Sequence, residues 1–159
     1  MSKICNTKKD RWKWFLIFGA VALVVVMIVG IFLKLGRMET SQTLSNTSYS
    51  IGSIDTSSGK VIESRQNAYT KSMYKVDNME ITLSDDATIS YKVFFYDKDK
   101  DFISATNSLN ADFDLNTLPS SAEYFRVVIT PAQVDGENVV LNLINLSKYT
   151  NQIRIVVVK

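Results

Sequence analysis

The sequence predicts an all-β, antiparallel sandwich domain that is preceded by one transmembrane α-helix. Twenty residues without a charge, from Trp14 to Leu33, indicate the helix, because about twenty helical residues cover the roughly 30 Å hydrocarbon core of a bilayer. After residue 48, apolar and polar residues alternate along several short segments, which is typical of strands. Asp-rich and Gly-containing segments separate them and accept turn geometry at low cost. Two sheets packed face to face would bury these alternating faces.

The charges around the apolar run predict its orientation and divide the chain into four parts. Five basic residues precede the run and only Lys34 and Arg37 follow it closely, so the positive-inside rule places the N-terminus in the cytoplasm. The run is longer than the apolar region of a signal peptide, and GRMETSQT offers no convincing cleavage site, which favours an uncleaved anchor. The sequence thus predicts a single-pass protein of the cell membrane with four parts: a basic cytoplasmic tail (1–13), a transmembrane helix (14–33), a polar tether (34–48) and an extracytoplasmic β-sandwich (49–159).

Composition excludes several classes of function. From Met38 onward, eleven basic residues stand against fifteen acidic ones, so the outer part has no basic excess for nucleic acid. The absence of histidine excludes histidine-dependent triads and imidazole zinc sites. Neither a Gly-rich phosphate loop nor a cysteine cluster is present, and Cys5 is predicted to lie on the cytoplasmic side. We therefore predict a protein that is not an enzyme and has no cofactor, no catalytic residue and no metal site.

Nine segments of the outer part are predicted to be strands. In 88–96, Ile89 and Val93 share one face while Phe94 and Tyr96 lie on the other, so neither face of this strand is simply solvated. In 124–130, Phe125, Val127 and Ile129 are predicted to point inward and Arg126 outward. The complete set of predicted strands is 49–54, 60–63, 69–76, 80–84, 88–96, 102–105, 124–130, 139–146 and 153–158.

The run Asp97 to Asp101 places three carboxylates at alternate positions, as at the opening of a calcium loop. Phe102 stands where such a loop needs its sixth-position glycine, and Ser108 stands where it needs its twelfth-position glutamate. The two interleaved lysines also lower the local negative charge. The run therefore predicts a solvated hairpin rather than a metal site.

Three segments resemble a known class of modules. They are YSIGSIDTSSGKVIESRQNAYTKSMYKV, ISYKVFFYDKDKDFIS and AEYFRVVITP. They resemble the β-sandwich, jelly-roll modules of phage and prophage virion proteins and of Gram-positive bacterial surface proteins. The matching positions are Gly52, Ile54, Asp55, Gly59, Tyr91, Val93, Tyr96, Asp97, Arg126, Val127 and Ile129. The resemblance implies a jelly-roll-like domain, and since some similar modules bind carbohydrate, it also implies a glycan ligand.

Four residues are candidates for contact with such a glycan. Sugar-binding surfaces use exposed aromatic faces that cover C–H surface, and the outer part contains tyrosines but no tryptophan. Tyr69, Tyr74, Tyr96 and Arg126 lie near predicted loop ends or on outward faces. We therefore name these four as the candidate ligand-binding residues.

The sequence supports two functional hypotheses, and a third is weaker. The first is a membrane-anchored, non-enzymatic binding module at the outer face of the membrane. It would engage an envelope or phage protein, or a second copy in a homo-oligomer, through strand edges or loops. The alternative is a module that binds cell-wall glycan, as the resemblance implies. A glycan-active enzyme would need two convergent carboxylates, for which the sequence offers no pair. In every case the lipid bilayer is the partner of the anchor.

Overall fold

The structure is a computed structural model that describes residues 41–158. The predicted basic tail, the transmembrane helix and residues 34–40 of the tether lie outside the described residues. Within 41–158, no helix is both long and apolar enough to cross a bilayer. The elements in chain order are β1 (Ser41–Thr43), β2 (Tyr49–Ile51), β3 (Ser53–Ile54), β4 (Val61–Ile62), β5 (Ala68–Thr70), β6 (Tyr74–Lys75), β7 (Glu80–Leu83), β8 (Ile89–Tyr96), β9 (Phe102–Ala105), β10 (Tyr124–Pro131), α1 (Leu146–Thr150) and β11 (Ile153–Val158).

The strands form two main antiparallel sheets and one small hairpin. The larger sheet has six strands in the order β2-β5-β10-β8-β9, with β6 also paired to β10. The smaller sheet has the order β1-β11-β7, and β3 and β4 pair with each other. All of these pairings are antiparallel. The prediction of an all-β, sandwich-like domain is confirmed.

The main core lies between the inner faces of the two sheets. Strands β8 and β10 pair over their full length, from Tyr124 opposite Tyr96 to Pro131 opposite Ile89. Because successive side chains alternate between faces, every second residue of these strands joins the core. The members with no exposed surface are Val93, Phe125, Val127, Ile129 and Ile155. The inward face predicted for β10 and the alternation predicted for β8 are therefore confirmed.

The outer face of the larger sheet carries a second apolar layer. Ile54 of β3 packs there with Phe94, Tyr96 and Val128. The aromatic rings of this face are therefore covered rather than left in water, as the sequence of β8 predicts.

The folded part of the chain begins before the predicted boundary at residue 49. Strand β1, Ser41–Thr43, falls within the predicted tether. It pairs with Val158–Val156 of β11. The amide of Leu44 then donates to the carbonyl of Ile155 at 2.9 Å, and the Leu44 side chain is buried. Main-chain pairing at the edge of β11 holds β1, whose own side chains are all exposed. Such a strand has no alternating pattern that a sequence could reveal.

The predicted strand 139–146 is wrong. Residues 139–145 form no strand, and α1 begins at Leu146. The Oδ1 atom of Asn142 accepts hydrogen bonds from the amides of Ile144 and Asn145, at 2.9 and 3.0 Å. The Asn145 side chain bonds the amide of Asn142 and the carbonyl of Val140 in return. These side chains offer the backbone an alternative to a sheet ladder, so the chain turns despite its apolar residues.

The hairpin predicted at Asp97 to Asp101 is confirmed as the link between β8 and β9. Asp97 Oδ1 accepts the amides of Asp99 and Asp101, each at 2.9 Å. Lys100 has a positive φ of 68° and donates its amide to the carbonyl of Asp97. The first carboxylate of the run therefore closes the turn.

Asp55 closes the turn between β3 and β4, and this gives a testable pH dependence. Its Oδ1 accepts hydrogen bonds from the hydroxyls and amides of Ser57 and Ser58, which lower its pKa from 3.8 to about 2. A depressed folded-state pKa means that this stabilisation is complete above pH 3.8 and is lost as the pH falls through about 2. We expect an NMR titration of the Asp55 carboxyl carbon to give a midpoint near 2. A midpoint near 3.8 would contradict the hydrogen-bonded turn.

Candidate functional site

Arg126, predicted as an outward ligand contact, is a buried link between strands. Its Nε and Nη2 donate to the carbonyl of Thr70 at 2.9 and 2.7 Å, and Nη2 also donates to the carbonyl of Lys71 at 3.1 Å. Its side chain is 7% exposed, and the guanidinium lies 4.9 Å from the centre of the Tyr69 ring. The guanidinium therefore satisfies the backbone at the end of β5.

Tyr96 is also part of the folded framework. Its hydroxyl donates to the carbonyl of Gly59 at 2.9 Å, and the side chain is 2% exposed. Burial raises the pKa of Tyr96, and the nearby Arg126 charge partly opposes that shift. The bond ties the β3–β4 hairpin to the larger sheet.

Tyr69 and Tyr74, the other two predicted contacts, remain half-buried on different faces of the larger sheet. Tyr69 packs with the outer layer and Arg126, whereas the Tyr74 ring lies 6.1 Å from that of Phe125 on the core side. The structure thus brings Tyr69 and Tyr96 together with Arg126 and leaves Tyr74 apart. The four residues do not form one continuous platform.

The most exposed large apolar side chains of the described residues form a pair before α1. Leu143 is 87% exposed and Ile144 is 90% exposed. We call this pair the tip. The asparagine bonds around Asn142 and Asn145 hold it in a turn. Sequence reasoning missed it because the apolar run 139–146 resembles a core strand, although the two flanking asparagines were an available signal of a turn.

A groove of about 280 Å³ lies beside the tip. Leu143 and Leu146 line it together with Tyr49 of β2 and Lys71, which follows β5. We call it the Tyr49 groove. The Lys71 ammonium donates to the carbonyl of Thr47 at 2.9 Å on its rim. Its lining residues, all within the described part of the chain, include this one cation and no carboxylate.

The Tyr49 hydroxyl has no partner inside the domain. Within residues 41–158 it is the one buried side-chain nitrogen or oxygen without a hydrogen bond, and the side chain is 3% exposed. Burial raises the pKa of Tyr49, and the neighbouring Tyr74 adds to the shift. The hydroxyl therefore stays protonated. An unpaired buried hydroxyl carries an energetic cost, and a ligand group that accepts a hydrogen bond from it would relieve that cost.

A second groove, of about 460 Å³, lies at the opposite edge of the larger sheet. Phe95, Leu109 and Phe113 give it apolar walls beside Ala105 of β9. We call it the Phe113 groove. Its charged lining consists of Asp112 and Asp114, with no cation among the described residues that line it. Asp112 Oδ1 accepts the amide of Leu83 at 2.9 Å, which holds the loop against β7.

Comparison with known proteins assigns no function to these grooves. The chain matches no protein-family model, no curated protein and no solved structure. A function for this domain must therefore be inferred from the chemistry of its described residues.

Proposed function

We propose that the chain is a membrane-anchored, non-enzymatic binding module at the outer face of the cell membrane. Its tip and the Tyr49 groove would engage a protein component of the envelope or of a phage. The observation that carries this proposal is the exposure of Leu143 and Ile144, at 87% and 90%, beside a groove lined by Leu146.

Burial of the two tip side chains would stabilise a complex with a partner. Full burial of a leucine or isoleucine side chain stabilises a complex by about 1.5 to 3 kcal/mol. Adjacent exposed apolar residues of this kind mark interaction sites more often than scattered ones do. The local asparagine bonds hold the tip in one shape, which reduces the entropy lost on binding.

The hydrogen bonds that four aspartates accept from backbone amides support a non-enzymatic role. Asp55, Asp97 and Asp114 each accept backbone amides within their own turn, and Asp112 accepts the amide of Leu83. These bonds are the ordinary use of aspartate in turns.

The anchor and its orientation are the second part of the proposal and rest on the sequence. Residues 14–33 would span the membrane, with 1–13 inside and the sandwich outside.

Protease added outside intact cells should remove the domain and leave a protected N-terminal fragment. Complete protection of the domain would contradict this orientation.

We expect the double variant Leu143→Ser/Ile144→Ser to fold normally and to lose its partner. Two lost apolar contacts correspond to a drop in affinity of at least about 100-fold. The measurement is photocross-linking in the native membrane from a benzophenone amino acid at Val140, with and without the double change. Val140 is 58% exposed, and only its main-chain carbonyl takes part in the asparagine bonds that hold the tip. The unchanged tip should give a discrete, protease-sensitive adduct.

Val134→Ser is the matched control, because Val134 is 57% exposed and lies outside the Tyr49 groove. It should leave the adduct intact. Equal adduct yields from all three proteins would contradict the assignment of the tip.

Glycan binding by a jelly-roll-like domain is the second candidate, favoured by the half-buried Tyr69 ring. The full chain in detergent would then be retained on purified cell wall, and Tyr69→Ala would release it. Retention that depends on Tyr69 and not on the tip would favour this alternative over protein binding.

A further inference from the structure

We infer that the protein partner includes a second copy of this chain, bound head to tail, with the tip of one copy seated in the Phe113 groove of the next. The inference deepens the proposed function, because it uses the same tip and names its occupant. It rests on the placement, shape and charge of the two grooves.

The two grooves lie along opposite edges of one sheet. The Tyr49 groove borders β2, and the Phe113 groove borders β9, which are the two ends of the order β2-β5-β10-β8-β9. A contact between the tip of one copy and the Phe113 groove of the next therefore joins different surfaces of the two copies. Such a heterologous contact leaves one edge free on each outer copy, so it extends into chains or closes into rings.

The apolar parts of the two surfaces are complementary. One presents the protruding Leu143 and Ile144, and the other presents a hollow of about 460 Å³ with Phe95, Leu109 and Phe113 in its walls. The hollow is larger than the groove beside the tip, which is about 280 Å³. Burial of the tip in the Phe113 groove would remove from water the most exposed apolar pair of residues 41–158.

The charges are complementary as well. The tip lies beside Lys71, whereas the receiving groove carries Asp112 and Asp114. The same surfaces placed against themselves would bring like charges together, which disfavours a symmetric dimer. Opposite charges across the interface also favour contact between the β2 edge of one copy and the β9 edge of the next.

The proposed anchor would help such a contact form. Copies that share one bilayer already have parallel orientations and a raised local concentration, so a weak contact between neighbours becomes populated. A rotation about the membrane normal relates such neighbours and keeps every anchor on the same side.

The test uses cysteine pairs in the full chain, reconstituted in phosphatidylglycerol vesicles with a short bis-maleimide. Cys5 is the one native cysteine and is first replaced by serine. We expect Val140→Cys chains mixed with Thr117→Cys chains to give a dimer, because Val140 is exposed near the intact tip and Thr117 lines the Phe113 groove. Each variant alone should give none, and a chain with both changes should give a ladder of trimers and larger products.

Charge variants and a collision control complete the experiment. Lys71→Glu should lower the mixed-dimer yield about two- to fivefold, whereas Lys60→Glu, an exposed change outside both grooves, should leave it unchanged. A Lys60→Cys and Thr117→Cys mixture measures random collisions.

Mixed yields no higher than random collisions would overturn the inference, and so would dimers from Val140→Cys alone. If the mixed pair fails while the serine tip variant still loses its native adduct, self-association is wrong and the proposed function stands. If the serine variant keeps its adduct, the tip itself is wrong as the binding site.

Discussion

Arg126→Leu is expected to lower the free energy of unfolding by about 2 to 4 kcal/mol. The change removes three hydrogen bonds to the carbonyls of Thr70 and Lys71 and leaves those acceptors at a buried strand end. It also removes the guanidinium from the Tyr69 ring. The measurement is thermal unfolding of the full chain in detergent, monitored by the near-ultraviolet circular dichroism of its tyrosines.

The matched control is Arg154→Leu on the exposed face of β11, where we expect a change within about 0.5 kcal/mol. Arg126→Lys should recover only part of the loss, because an ammonium lacks the planar fork of donors. A normal melting temperature for Arg126→Leu, combined with lost binding to cell wall, would show that Arg126 contacts ligand rather than holding the sheet.

Gly59→Ala is expected to destabilise the domain by about 2 to 4 kcal/mol. Gly59 has a φ of +67°, and a Cβ there would lie 2.6 Å from the Cβ, Cγ and Cδ2 atoms of Phe102. Both the left-handed backbone and the ring of Phe102 thus oppose any side chain. Because the carbonyl of Gly59 also accepts the Tyr96 hydroxyl, a shift of this turn would break that bond as well.

Gly136→Ala separates the backbone cause from the steric one. Gly136 has a φ of +81°, but apart from its own chain neighbours no residue has an atom within 4 Å of the added Cβ. We expect it to cost only the backbone term, about 1 to 2 kcal/mol. Equal losses for the two variants in the same unfolding experiment would show that Phe102 moves aside without cost.

The sequence predicts most of the sandwich because burial follows strict alternation. In β8 and β10 the inward residues, such as Val93 and Phe125, stand at every second position, and a one-residue slip would place them all on the wrong face. Gly52 and Gly59 were also identifiable from the sequence, because both stand at positions where it resembles jelly-roll modules. Their physical reason needed the structure, which shows Tyr69 and Phe102 against them.

Side-chain partners from distant parts of the chain could not be predicted from the sequence. Arg126 lies on the outer face as the alternation indicates, but its bonds to Thr70 and Lys71 span more than fifty residues. A charged residue on an outward face predicts a side chain exposed to solvent. Only the structure shows that the β3–β4 hairpin covers this face and that Arg126 is buried. The tip was missed for the opposite reason, since apolar residues usually indicate a core.

We propose that the tip and the Tyr49 groove bind the partner, whereas Arg126 and Tyr96 stabilise the fold. Amide hydrogen exchange of the full chain, measured in dilute detergent, where copies do not share one bilayer, and again with envelope material added, tests this proposal most directly. We expect slower exchange in residues 142–149 and at Tyr49 when partner is present, with residues 52–62 unchanged. Slower exchange in 52–62 and around Tyr69, with the tip unchanged, would contradict the assignment of the tip as the binding site.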